Sequence, residues 1–154
     1  MPEKRTLERA KRDKRKGKAP STQAGEFVRE EIEHVRKGIH GARSTKQAIA
    51  IGLSKARRAG VKLKLPSKKT ASAGTRRHAI RDARRRPHRA SRTRSRATFR
   101  ALKREGRSAG STAALSRQAR SAAARRSKKS RSQAARRAAA TRAHKGTVSR
   151  GRTR

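Results

Sequence analysis

Between residues 21 and 61 the apolar positions recur with the period of an α-helix. Ala24, Val28, Ile32 and Val35 stand at i, i+4, i+8 and i+11 with Phe27 beside them, which marks one apolar stripe on a helix running to about Lys37. Ser21 or Thr22 is placed to cap its start, Glu26 lies near its positive end and Gly38 stops it. After a connection from Gly38 to Arg43, Ser44 and Gln47 form an S-x-x-Q capping box that opens a second stripe. Ile49, Leu53 and Ala56 continue it at i, i+4 and i+7, while Ala48, Gly52 and Ala59 put small residues on adjacent rows where another helix can approach closely. Gly60 supplies a left-handed stop, and Val61 is placed to touch Ala56. The pattern predicts a helical hairpin with a core of Phe27, Val28, Ile32, Val35, Ile49 and Leu53. Val61, Leu63 and Leu65 alternate with Lys62 and Lys64, as a short strand or an extended flap would.

On either side the apolar pattern fades. Residues 3–18 alternate acids and bases, with Glu8 and Arg12 one helical turn apart, and Gly17 and Pro20 end the stretch. From Pro66 onward the vocabulary contracts to Arg, Ala, Ser, Lys, Thr and Gly. Four stretches within it carry helix signals: Arg76–Arg86, Thr98–Glu105, Thr112–Arg126 and Arg131–His144. Alanine and arginine favour helix intrinsically, but neighbouring cations repel along its length, so neutralisation by phosphate is expected to switch such helices on. The chain therefore reads as mainly α, in three parts: a charged leader at 1–20, a helical hairpin module at 21–65, and a long, largely disordered, Arg/Ala-rich basic tail at 66–154 with inducible helices.

Charge turns this organisation into a functional expectation. Forty-nine residues are Lys or Arg and nine are Asp or Glu, a formal net charge of +40 in 154 residues. Seven of the nine acids lie in the first 33 residues, so the remainder is almost purely cationic. Self-repulsion on this scale disfavours compaction and calls for a polyanion. Leu, Ile, Val and Phe together number 17, eleven of them between Phe27 and Leu65, so a packed core is expected only there. Without cysteine the chain has no disulfide and no thiolate metal site. The N-terminal charges are followed by no apolar segment, and no stretch approaches 18 apolar residues. Neither secretion nor membrane insertion is expected, and the expected location is cytoplasmic and nucleoid-associated.

Candidate chemistry narrows the picture further. Glu26, Glu30 and Glu33 share the outer face of the first hairpin helix, where paired carboxylates ordinarily form a solvated face; contact with basic residues of the next helix or of the tail is the more plausible use. His34 and His40 have no evident ligand trio, and His78, His88 and His144 sit among cations, so no metal site is expected. Nucleotide-binding glycine patterns are absent, and no cofactor and no catalytic constellation is predicted. Arginine outnumbers lysine 33 to 16, and its forked guanidinium suits phosphate. The clusters expected to clamp phosphates are Arg57, Arg58, Arg76, Arg77, Arg84, Arg85, Arg86, Arg125, Arg126, Arg136 and Arg137. With Phe27 and Phe99 the only aromatics of the Phe/Tyr/Trp type, single-strand stacking platforms are missing. The six-residue connection also exceeds the helix-turn-helix norm. The expectation is a non-enzymatic, histone-like protein that binds DNA, in preference to RNA, without reading sequence; an RNA- or ribosome-associated role is the alternative, and the hairpin could meet a second copy or another protein.

Two segments add a resemblance. Ser21-Thr-Gln-Ala-Gly-Glu-Phe-Val-Arg-Glu-Glu-Ile32 and Gly41-Ala-Arg-Ser-Thr-Lys-Gln-Ala-Ile-Ala-Ile-Gly-Leu-Ser-Lys-Ala-Arg-Arg-Ala-Gly60 together resemble a small bacterial family, with no activity assigned to it, in which such a module precedes a basic tail. The composition of the tail resembles the Lys/Ala/Arg tails of bacterial linker-histone-like proteins, which implies DNA condensation.

Overall fold

The structure, a computed structural model, describes residues 2–68, 71–84 and 91–150, with side chains described to residue 140. Among these residues it holds seven α-helices and no strand: α1 Lys4–Arg15, α2 Pro20–Arg36, α3 Thr45–Arg58, α4 Ala73–Arg84, α5 Arg92–Lys103, α6 Thr112–Ala124 and α7 Lys128–Arg150, with a 3-10 turn at Ser108–Gly110. The chain divides into two compact units, Met1–Leu115 and Ser116–Arg154.

The hairpin of α2 and α3 is the centre of the first unit, and its ends follow from local chemistry. Pro20 occupies the first turn of α2, where its missing N–H costs nothing. Ser44 caps α3 as expected, its hydroxyl accepting from the Gln47 amide at 3.2 Å, while the Gln47 side chain accepts from the Arg43 amide at 2.7 Å. Both helices end in the same left-handed motif. Gly38 (φ 70°) and Gly60 (φ 87°) take the backbone conformation that side chains resist; the following amides, Ile39 and Val61, then reach back to His34 and Ala56 carbonyls at 3.0 Å. Val61 and Leu63 lie as an extended flap against the hairpin, without forming a strand.

Small residues let the two helices meet at short range. Ala24, Ala48 and Ala56 are fully buried with Phe27 and Val35, and Ile32 is buried beside them. A Cβ on Gly52 would stand 2.7 Å from the Val28 Cα, so the helix axes are as close as a glycine allows. Val28 and Leu53 are only partly buried packing partners, and Ile49 is half-buried at the edge of the core.

Two boundaries differ from the sequence expectation. The charged leader forms a helix that is not simply solvated: α1 lies on α2 and buries Thr6, Ala10 and Asp13, with Leu7 packing near Phe27. The weak stripe of Leu7 and Ala10 suffices because the charges around it find partners on α2. The compact unit also continues past Leu65. Residues 102–115 return to the α2–α3 connection, where Gly41 and Ala42 amides donate to the Leu102 and Gly106 carbonyls at 2.8 and 3.0 Å. Thr45 and Arg36 side chains donate to the Ala109 and Gly110 carbonyls, each at 2.7 Å, and Ala109 is buried in the Ile32–Val35 cluster with Leu115 against it. This return needs few large apolar side chains, since backbone hydrogen bonds and two small residues supply it. α4 packs on α3, where the Ser54 hydroxyl donates to Asp82 at 2.6 Å.

The second unit contains most of α6 and all of α7 and has no buried side chain among its described residues. Helices stand in all four tail stretches that carried helix signals.

Candidate functional site

The first unit buries three of its acids, Asp13, Glu30 and Glu31. Glu30 and Glu31 are 4% and 1% exposed: α1 covers them from one side, and α3 brings Lys55 against them from the other. Lys55 Nζ donates to Glu30 Oε1 at 3.1 Å and also binds Glu31 Oε1. The Glu3 amide donates to Glu30 Oε2 at 3.0 Å. Burial opposes the charge of Glu30, but hydrogen bonds from Thr6 and from the Glu3 amide, together with Lys55, outweigh it and hold its carboxyl below the ordinary range. Of the other two carboxylates expected on the outer face of α2, Glu26 faces Arg9 at 3.6 Å and the exposed Glu33 pairs with Lys37 at 4.0 Å. The expected contact between acidic helix and third helix is thus made, through Lys55.

Glu31 also gathers two histidines that sequence reading had set aside. His34 follows it by one turn on α2, and His40 comes from the connection just beyond Gly38. His34 Nδ1 stands 3.8 Å from Glu31 Oε1, and His40 Nε2 stands 3.5 Å from Glu31 Oε2. The rings meet edge to face at 5.6 Å. The three residues each offer a donor atom within 4.8 Å of the others, so the expectation of no ligand trio near His34 and His40 is corrected. The available signal was Glu31-x-x-His34, an i, i+3 pair on one helical face; Glu3 and Lys55 carried no such signal. His40 also lines a cavity of about 340 Å³ with Lys37, Gly38, Lys103, Glu105 and Arg107.

The expected phosphate clamps fall in several places. Arg57 is half-buried in the last turn of α3, and Arg58 is exposed with its Nε near the Ser54 carbonyl at 3.4 Å. Arg76 is tied to the Pro66 carbonyl at 3.1 Å. Arg77 and Arg84 lie exposed on α4, which packs on α3. Arg125, Arg126, Arg136 and Arg137 are exposed in the second unit. Arg85 and Arg86 lie outside the described residues. Among the described residues no helix is long and apolar enough to cross a membrane.

Comparison with protein-family models, with curated proteins and with solved structures returned no match to this chain.

Proposed function

We propose that this chain is a non-enzymatic, histone-like DNA-binding protein that neutralises phosphates without reading sequence, working in the cytoplasm on the nucleoid. One observation carries the reading: nine acids face forty-nine Lys and Arg, so the chain itself cannot supply carboxylates for forty of those charges. Exposed arginines on α4, α6 and α7 are the surface through which it would act. Arginine forks match phosphate oxygens in pairs, and condensed counterions released from DNA supply the driving free energy.

In this reading the helices of residues 116–154, with fourteen Lys and Arg and no acid, are weakened by repulsion between neighbouring arginines and strengthen on the duplex as that repulsion is neutralised. A circular dichroism titration with duplex DNA reads this as a gain of helix; no gain at saturation contradicts it. Supporting DNA over RNA is the scarcity of aromatic side chains for stacking unpaired bases. The deciding experiment is crosslinking of the full chain in cells followed by sequencing of the bound nucleic acid. Duplex DNA recovered broadly across the genome is the expected result. Recovery of ribosomal or messenger RNA instead replaces the DNA reading with the RNA one.

A further inference from the structure

The geometry points to a divalent transition-metal site, of the kind that takes Zn²⁺, formed by Glu31, His34 and His40 at the junction of α2 with the α2–α3 connection. Three independent features converge there.

First, both imidazoles are held so that a lone pair faces the carboxylate. His34 Nε2 lies 2.9 Å from Glu3 Oε1; a carboxylate only accepts, so that nitrogen carries the proton and Nδ1 is left as the ligand atom. His40 Nδ1 lies 3.0 Å from the Gly41 carbonyl, so by the same logic its Nε2 is the ligand atom. A carboxylate behind one histidine and a backbone carbonyl behind the other are the outer partners that metal-bound histidines typically have.

Second, Glu31 keeps one oxygen in reserve. Oε1 is taken by Lys55, whereas Oε2 is buried without a hydrogen-bond partner among the described residues. Leaving a carboxylate oxygen desolvated and unpaired is costly, and a cation between Oε2 and the two rings removes that cost. The spacing favours an ion over a proton. A charge-assisted hydrogen bond is about 2.7–2.9 Å long, shorter than the 3.5 and 3.8 Å separations seen between these rings and Glu31. Two ligands about 2.0–2.1 Å from one tetrahedral zinc stand about 3.3–3.4 Å apart, close to the His40–Glu31 value. The widest separation in the trio, within 4.8 Å, closes with side-chain shifts of roughly an ångström.

Third, carboxylates outnumber ammonium groups among the direct contacts of the trio: Glu3, Glu30 and Glu31 stand against one ammonium, Lys55, while Lys37, Lys103 and Arg107, with Glu105, line the cavity that His40 borders. Two imidazole nitrogens and a carboxylate oxygen are a donor set that suits zinc, with its fourth position left to solvent. The ion would clip the connection that receives the returning Leu102–Ala109 segment, so binding would add to the stability of the first unit.

The test uses the untagged full chain, stripped of nucleic acid, with Co²⁺ as a spectroscopic stand-in for Zn²⁺. One equivalent of Co²⁺ is expected to give the intense visible absorption of a four-coordinate site, to be displaced by Zn²⁺, and Zn²⁺ is expected to raise the melting temperature. Glu3→Gln keeps every ligand and is expected to weaken binding by about 10–100-fold. His34→Gln, at a partly exposed ring, is expected to weaken it more than that and to abolish the Zn²⁺-dependent rise in melting temperature, with the helical circular dichroism signal retained. Absence of both Co²⁺ absorption and Zn²⁺ stabilisation in the natural chain overturns the proposal. Unchanged Co²⁺ affinity in His34→Gln overturns it as well, because the ion would then be held elsewhere.

Discussion

The α1–α3 bundle and the helices of the second unit are written in nearly the same alphabet of alanine and basic residues, yet they solve opposite problems. In the bundle, alanines at positions 10, 24, 48 and 56 are buried; in α6 and through residue 140 of α7, no alanine is. The difference lies in what surrounds them. Bundle alanines flank Phe27, Ile32 and Val35 and let helices approach until backbones touch, while Glu30 and Glu31 give the approaching Lys55 somewhere to place its charge. The second unit has neither large apolar side chains in register nor any acid among residues 116–154. Alanine thus acts as a packing residue only where something larger or oppositely charged anchors the contact.

The sharpest way to break this contrast is Lys55→Met. Removing the ammonium leaves Glu30 and Glu31 buried with much of their charge unpaired, which typically costs about 3–5 kcal/mol, so chemical denaturation should show the first unit markedly destabilised or unfolded. Lys128→Met, at the exposed start of α7, should stay within about 0.5 kcal/mol. Equal effects at the two positions would erase the distinction between the regions.

Gly52→Ala comes next in size. Its new Cβ would sit 2.7 and 2.9 Å from backbone atoms of Val28, which must move, so a loss of about 1–3 kcal/mol is expected in equilibrium denaturation. Ala122→Gly in the exposed run of α6 should reduce helicity by about 1 kcal/mol at most and leave the bundle's midpoint unchanged.

Acid should separate the regions too. Because the folded state holds the Glu30 carboxyl below its ordinary value of 4.5, its contribution is fully present above that value and is lost as pH falls below it through the folded-state value. The melting temperature of the first unit should therefore fall with acidification in that window, and Glu30→Gln, which destabilises the unit at neutral pH, should flatten the dependence. A melting temperature that holds constant through the window would contradict the assignment.

Much of this fold was legible in the chain. Ser44, Gln47, Gly38 and Gly60 mark helix ends by chemistry that acts locally, and the stripes of α2 and α3 follow from period alone. Contacts made at a distance by few residues left fainter marks. Leu7 and Ala10 are too sparse a stripe to announce that α1 packs, and nothing in Gly41 tells that its amide will meet the Leu102 carbonyl 61 residues later. The helical spacing of Glu26, Glu30 and Glu33 says which residues share a face but not what covers each of them. For the same reason spacing gives no sign that Glu31 is buried or that His40 joins it and His34. For the phosphate clamps, cationic runs were plain in the sequence, whereas the tethering of Arg76 to Pro66 and the partial burial of Arg57 required the fold.

The most direct test of the central claim is a salt series. Binding of the full chain to two unrelated duplexes of equal length should be measured from 50 to 200 mM monovalent salt. With about six to ten phosphates engaged, affinity is expected to fall log-linearly by roughly 10³ to 10⁵ over that range, with the same slope and nearly the same affinity for both duplexes. An affinity that ignores salt, or one that separates the two sequences by orders of magnitude, would contradict binding through uncompensated charge.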